Sequence, residues 1–180
     1  LVGCHADDTG AKNAGAVFLF DGSTGELLWA FRKPQPKAGD VFGAVFTAVG
    51  NNLLVGPYAD DTKGPAYLFE GSTGKVLQTF PNPDPGRKRG FGFAVAALGG
   101  NVLIGDKNFH PPRADGGVIY MLDSRTGDVL RTFHNPRPAV SDGFGSNVAV
   151  VGGNVLIGAQ QTNGNGFKVG AAYLFDGSTG

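Results

Sequence analysis

The sequence predicts an all-β fold made of β-propeller blades, each of four antiparallel strands, with two complete and two incomplete blades in 180 residues. A short phrase ending in a glycine-bearing turn occurs four times: GAVFLFDGSTG (Gly15–Gly25), GPAYLFEGSTG (Gly64–Gly74), GGVIYMLDSRTG (Gly116–Gly127) and GAAYLFDGSTG (Gly170–Gly180). One aligned apolar position falls at Phe20, Phe69, Leu122 and Phe175. This period of about 50 residues suits a four-stranded propeller blade.

Each full repeat contains four short apolar runs, and these predict the strands. In the second repeat they are FGAVFTAV (Phe42–Val49), LLVG (Leu53–Gly56), AYLF (Ala66–Phe69) and KVLQTF (Lys75–Phe80). The runs are rich in Val, Leu, Phe and Tyr and are bounded by Gly, Asn, Asp and Pro, which is typical of strands. Several are apolar at consecutive positions, which indicates sheets covered on both faces.

Two kinds of connection alternate along the repeat. Short turns such as Gly50-Asn51-Asn52 suit tight hairpins, because Gly and Asn tolerate positive φ. The other connections are Pro-rich crossings between repeats and variable loops at Pro57–Lys63, Asp106–Gly116 and Ala159–Val169. Alternate connections of an antiparallel meander leave the same end of the sheet. We therefore predict that crossings and variable loops share one face, named the loop face, opposite a hairpin face. The loop face is the candidate recognition surface.

The strands add up to a single partial propeller over residues 1–180. It comprises an incomplete blade (1–41), two blades (42–80 and 91–133) and a second incomplete blade (144–180). Two explanations fit this arrangement: a segment of a longer repeat protein, or copies that assemble through open blade edges by β-augmentation. Because both ends fall within a repeat, the sequence favours the first explanation.

Composition excludes several classes of function. The 15 basic and 15 acidic side chains give a formal charge of zero, which argues against a nucleic-acid partner. The sequence has no apolar stretch of the length that inserts into a membrane. Cys4 is the only cysteine, and the three histidines have no metal-ligand spacing. We therefore expect a protein without enzymatic activity.

The motifs FG…VAVVGGNVLIGA and GAAYLFDGSTG resemble the FG-GAP repeat of integrin-α-like β-propellers, and more closely the tandem repeats of large secreted or surface bacterial proteins. The resemblance implies an extracellular or cell-surface module for binding, cell adhesion or structure. The expected partner is a protein or glycan, a further copy of the chain or further repeats of a longer parent. The alternatives are a carbohydrate-binding propeller or the accessory propeller of a larger secreted enzyme. That enzyme would be a hydrolase or a quinoprotein-like enzyme. The second resembles this chain because the repeats of quinoprotein-type propellers end in a similar hairpin followed by a tryptophan, here Trp29.

The candidate binding residues are aromatic side chains in the variable loops. Tyr58, Phe109 and Phe167 fall one in each loop, and His110 follows Phe109. Rings in such positions stack on sugars or anchor a protein partner. The other interpretation is that they fold back to cover blade edges.

A metal site is the last candidate. The calcium loop that the resemblance implies, between the first two strands, has no carboxylate here, so no cofactor is expected from it. Two acidic pairs, Asp7-Asp8 and Asp60-Asp61, occupy equivalent variable loops and could hold Ca²⁺ through carboxylate and carbonyl oxygens. The competing interpretation is a set of Asx turns on a wet surface.

Overall fold

A computed structural model describes residues 1–57, 64–84, 90–107, 116–138, 142–160, 163–164, 167–168 and 170–180. In these residues every regular element is a β-strand. Four antiparallel sheets form along the chain, with three, four, four and three strands, and none of them closes on itself. The predicted all-β fold, with two complete and two incomplete propeller blades, is confirmed. Among the described residues, no helix is long and apolar enough to cross a membrane.

The sheets follow one another along the chain. Sheet 1 consists of β1 (Val2–Cys4), β2 (Ala16–Phe20) and β3 (Leu27–Phe31). Sheet 2 consists of β4 (Phe46–Val49), β5 (Asn52–Val55), β6 (Ala66–Glu70) and β7 (Val76–Phe80). Sheet 3 consists of β8 (Phe91–Leu98), β9 (Asn101–Asp106), β10 (Val118–Asp123) and β11 (Val129–His134). Sheet 4 consists of β12 (Phe144–Val151), β13 (Asn154–Ala159) and β16 (Ala171–Phe175). A separate hairpin pairs β14 (Asn163–Gly164) with β15 (Phe167–Lys168) inside the last variable loop.

The strand order within each sheet is a simple meander, in which each strand pairs with its neighbour in sequence. The first strand of each repeat lies against the first strand of the next repeat, since β4 packs on β8 and β8 on β12. In the two four-stranded sheets the fourth strands, β7 and β11, are the most exposed. The blades are therefore arranged with their first strands inside and their fourth strands at the rim.

The hydrophobic core lies between sheets. Three clusters join sheet 1 to sheet 2, sheet 2 to sheet 3 and sheet 3 to sheet 4. The last phenylalanine of a fourth strand packs edge-on against the next sheet: ring centroids are 5.7 Å apart for Phe31 and Phe69, and 5.4 Å for Phe133 and Phe175. This explains why the strands are apolar at consecutive positions, since one set of side chains faces each neighbouring sheet.

The FG element of sheet 2 differs from its prediction as the start of a strand, whereas β8 and β12 begin at Phe91 and Phe144 as predicted. In sheet 2 the strand begins at Phe46, four residues after Phe42. Positive φ at Val41 (54°) and Gly43 (87°) turns the chain away from extended geometry. The Phe42 amide instead donates to the carbonyl of Ala14, two residues before β2, at 2.9 Å. This FG element therefore clamps sheet 2 onto sheet 1.

A glycine in the preceding sheet makes room for each clamp. A Cβ added at Gly3, Gly56 or Gly105 would overlap the carbonyl oxygen of the FG glycine in the following sheet. Gly105, for example, faces the carbonyl of Gly145. The recurring glycine at the end of each second apolar run is therefore required for close approach of backbone between sheets.

Candidate binding surface on the loop face

The loop face contains a polar cleft of about 390 Å³ between sheets 1 and 2. The first crossing contributes Lys33, Gln35, Lys37 and Asp40, and the loop that follows β5 contributes residues 64–65. Tyr67, near the start of β6, completes the described lining. A crossing and a variable loop thus meet at one end of the sheets. The cleft is within the size range of small-ligand sites.

A buried carboxylate organises this cleft. Asp40 Oδ1 accepts a hydrogen bond from Lys33 Nζ at 2.7 Å, and the two groups form an ion pair. Asp40 Oδ2 accepts from the Lys37 backbone amide at 2.6 Å. Both carboxylate oxygens are thereby satisfied from within the crossing, which is the condition for burying the charge. The ammonium group of Lys37 belongs to an exposed residue and contributes positive charge at the mouth of the cleft.

Tyr67 provides an aromatic wall with a polar tip. Its ring packs edge-on against Phe42, with centroids 6.4 Å apart. Burial raises the pKa of the Tyr67 hydroxyl, and the negative charge of Asp40 raises it further. The phenol therefore stays protonated at neutral pH and serves as a hydrogen-bond donor. Together with Gln35 and Lys37, it suits a ligand rich in hydroxyl or carboxylate oxygens.

The Lys33–Asp40 pair has counterparts in both later crossings. The residue two positions after the last phenylalanine of the fourth strand is Lys33, Asn82 or Asn135. Asn135 Nδ2 donates to Asp142 Oδ2 at 2.9 Å, and Asn82 Nδ2 donates to Asp106 Oδ2 at 3.3 Å. All three carboxylates are buried. Each crossing on the loop face is thus anchored by a side-chain donor and a buried aspartate.

Most of the predicted binding residues lie outside the described part of the chain. Tyr58, Phe109 and His110 are in this position, and so are Asp60 and Asp61. Phe167 lies on β15 and pairs with Gly164 of β14. Binding through these aromatic residues therefore remains a prediction.

The described acidic pair serves the local turn. Asp7 Oδ1 accepts from the Thr9 amide at 3.1 Å and lies 3.5 Å from Arg32 Nε, while Asp8 Oδ1 accepts from the Asn13 amide at 2.8 Å. Burial opposes ionisation of Asp7, but the bonds from Thr9 and the charge of Arg32 outweigh it and lower its pKa. Within the described residues, no three His, Cys, Asp or Glu side chains converge as metal ligands. These bonds favour the Asx-turn interpretation for Asp7 and Asp8, and calcium binding at Asp60 and Asp61 remains a prediction.

The opposite, hairpin face is built for contact between sheets. Arg131 of β11 donates to the carbonyls of Ser178 and Thr179 in the next hairpin, and Gln78 Nε2 donates to the Arg125 carbonyl at 3.0 Å. Trp29 occupies the equivalent position of β3, and its indole lies directly over Gly74. Three different side chains thus perform the same task, so the single tryptophan is part of the framework.

The fold and the repeat geometry agree with comparisons to known proteins. Residues 138–175, which span sheet 4, match the family described as FG-GAP repeat. The chain contains an FG-GAP repeat. This confirms the resemblance over the last repeat, which includes the FG element at Phe144 and Gly145. FG-GAP repeats are typical of propeller-like modules for binding or structure in extracellular or cell-surface proteins.

A solved structure shares the fold. The crystal structure of the computationally designed Ika4 protein matches with a TM-score of 0.57 and 19% sequence identity, covering 90% of this chain and 79% of that chain. At this level of identity the likeness concerns the fold alone. No curated protein matches the chain.

Sequence reasoning does not find the cleft between sheets 1 and 2. Tyr67 falls within the predicted strand Ala66–Phe69, and Lys33 and Asp40 lie in a Pro-rich crossing for which the pattern predicts no specific contact. One sequence signal was available, because an aspartate precedes the FG phenylalanine by two residues at Asp40 and again at Asp142. A charged residue repeated at a fixed offset from a buried aromatic residue indicates a specific partner rather than a solvated loop.

Proposed function

We propose that the chain is a non-enzymatic binding module of an extracellular or cell-surface protein, and that its loop face holds a glycan. The cleft between sheets 1 and 2 carries this proposal. It combines a protonated phenol at Tyr67, an amide at Gln35 and an ammonium group at Lys37 around a rigid, buried Asp40. Such a set recognises sugar hydroxyl and carboxylate groups by directed hydrogen bonds.

The framework supports this assignment of the loop face. The hairpin face is engaged by Trp29, Gln78 and Arg131 in holding sheets together. On the loop face, by contrast, each crossing is held by a buried aspartate on its inner side. The outer side of the crossing is therefore available to a ligand. Variable loops on a rigid framework are where binding residues concentrate.

The first experiment uses an array of immobilised neutral, uronic-acid and sulfated oligosaccharides. We expect the 180-residue chain to bind a member of the uronic-acid or sulfated set. Lys37→Glu then weakens binding by about tenfold or more, because it places a negative charge at the mouth of the cleft. The control is Lys75→Ala in the exposed β6–β7 hairpin on the opposite face, which leaves binding unchanged. Binding that is insensitive to Lys37→Glu would place the ligand elsewhere.

A second set of variants tests the variable loops. Replacing Tyr58, Phe109 and Phe167 together by alanine removes the three loop aromatics, with His110→Ala as a separate variant. If the rings stack on the bound glycan, the triple variant loses binding while its melting temperature stays within a few degrees of the parent. A large fall in melting temperature would instead show that the rings cover blade edges.

A further inference from the structure

The first crossing contains a strained residue beside the cleft. Val41 has a φ of 54°, in the left-handed region that a β-branched side chain strongly disfavours. In the two later crossings the residue directly before the FG phenylalanine is a glycine, and φ is 110° at Gly90 and 68° at Gly143. All three crossings therefore need positive φ at this position, and the crossing that lines the cleft has valine there.

Backbone hydrogen bonds hold Val41 in this conformation. Its amide donates to the Asn13 carbonyl at 3.2 Å, and the Gly39 amide donates to the Lys12 carbonyl at 2.9 Å. Together with the amide of the FG phenylalanine, they form three bonds between the crossing and the loop that joins β1 to β2. These three bonds are named the crossing ladder. A strained conformation persists only where its surroundings fix it, and the crossing ladder does so here.

Asp8 supports the other side of the crossing ladder. Asn13 also has positive φ, at 52°, which asparagine accommodates. The Asn13 amide donates to Asp8 Oδ1 at 2.8 Å, and this bond fixes the residue whose carbonyl accepts from the crossing. A carboxylate that does not line the cleft therefore supports the conformation of Val41.

Val41 lies between two residues that build the cleft. Asp40 is its buried carboxylate, and the Phe42 ring packs on the ring of Tyr67, which forms one wall. A change of φ at Val41 rotates the chain on either side of it, which breaks the crossing ladder and separates these groups. The closed crossing, in which the ladder is formed, and the complete cleft are therefore one conformational state. Because valine is strained in that state, the crossing is released more readily than it would be with glycine.

We propose that Val41 is a positioning residue that couples ligand binding in the cleft to closure of the first crossing. Its strain brings the released crossing close in free energy to the closed one. A ligand that needs the complete cleft then selects the closed crossing, and its apparent affinity depends on the fraction of closed molecules. This coupling rests on the proposed function of the cleft, whereas the strain at Val41 does not.

Amide hydrogen exchange, followed by NMR, tests the strain in the absence of a ligand. We expect Val41→Asn to slow exchange of the Gly39 and Phe42 amides about fivefold or more, because asparagine tolerates positive φ. The Leu54 amide of β5 reports global unfolding and serves as the reference. Val45→Asn is the matched control, since Val45 is also half-buried but does not have positive φ, and it leaves the ladder amides unprotected relative to the reference. Unchanged or faster exchange of both amides in Val41→Asn overturns the proposal.

Binding of an oligosaccharide tests the coupling. The probe is the uronic-acid or sulfated oligosaccharide that gives the strongest signal on the array. We expect Asp8→Ala to weaken its binding about threefold or more, because the variant loses a bond that supports the closed crossing. Val41→Asn in the same chain then restores binding, since it favours the closed crossing again.

The two measurements separate this proposal from the proposed function. Unchanged binding in Asp8→Ala, or a loss that Val41→Asn does not repair, overturns the coupling. A chain that binds no member of the array overturns the proposed function and the coupling with it, while slower exchange in Val41→Asn still establishes the strained crossing. Thermal melts of each variant confirm that it is folded.

Discussion

The Asn135 side-chain amide donates to Asp142 Oδ2 at 2.9 Å, and this bond holds together the two ends of the crossing between sheets 3 and 4. Asn135 Oδ1 in turn accepts from the Arg137 amide at 3.0 Å. Both side chains are buried. A buried pair of hydrogen-bonded side chains thus joins the two ends of this crossing. The Lys33–Asp40 ion pair does the same in the crossing beside the cleft.

Removing the donor of this pair should destabilise the fold. Asn135→Ala leaves the buried Asp142 carboxylate without the Asn135 hydrogen bond, and we expect a loss of about 1–3 kcal/mol in the free energy of unfolding. Urea denaturation followed by tryptophan fluorescence or far-UV circular dichroism measures it. Asp128→Asn in an exposed hairpin is the matched control and changes stability by less than about 0.5 kcal/mol. If Asn135→Ala and the control unfold at the same urea concentration, the Asn135–Asp142 bond does not anchor the crossing.

The repeat pattern predicts the four sheets well because strands and hairpins depend on local chemistry. The GSTG phrase specifies its own turn, in which Asp21 Oδ1 accepts from the Ser23 and Thr24 amides at 2.8 and 2.9 Å. Because the turns are short, each run lies beside the next run in sequence and pairs with it, as the meander order shows.

Contacts between sheets were harder to predict because their partners change from copy to copy. The anchor of the crossings is Asp142 or Asp40 before the FG element, but in the second crossing it is Asp106 at the end of β9. The hairpin contact likewise changes between Trp29, Gln78 and Arg131. Each contact satisfies the same geometric need with different chemistry, so no single residue type identifies it in the sequence.

The hairpin aspartates predict a specific loss of stability in acid. The Ser23 hydroxyl, together with the Thr24 and Ser23 amides, lowers the pKa of Asp21 to about 2, and Ser178 and Thr179 do the same for Asp176. Because the folded pKa lies below the ordinary value of 3.8, the stabilisation is complete above that pH. It is lost as the pH falls from about 4 towards 2.

The pH dependence is measured by NMR titration of the Asp21 carboxyl group and by melting temperature between pH 6 and about 2. We expect Ser23→Ala to raise the pKa of the Asp21 carboxyl group, because the substitution removes the hydroxyl that donates a hydrogen bond to it. Asp21→Asn flattens the acid limb of the melting curve, since the side chain no longer titrates. An acid limb of unchanged slope in Asp21→Asn would assign the loss of stability to other groups.

Calcium should have no effect on the described acidic pair. Asp7 and Asp8 each use Oδ1 to accept from a backbone amide of their own loop, and within the described residues no third metal-ligand side chain converges with them. We expect the same melting temperature in millimolar CaCl₂ and in EDTA. A rise with CaCl₂ but not with MgCl₂, abolished by Asp60→Asn and Asp61→Asn, would instead establish a calcium site in the second acidic loop.

Two equivalent glycines should respond differently to the same substitution. A Cβ at Gly105 would overlap the Gly145 carbonyl and lie 3.0 Å from Ile119 Cδ1, whereas at Gly158 the nearest atom is 3.4 Å away. We therefore expect Gly105→Ala to lower the free energy of unfolding by about 1–3 kcal/mol, because sheets 3 and 4 must separate to admit the methyl group. Gly158→Ala has little effect in the same urea denaturation. Equal losses at the two positions would show that the FG clamp does not set the requirement for glycine.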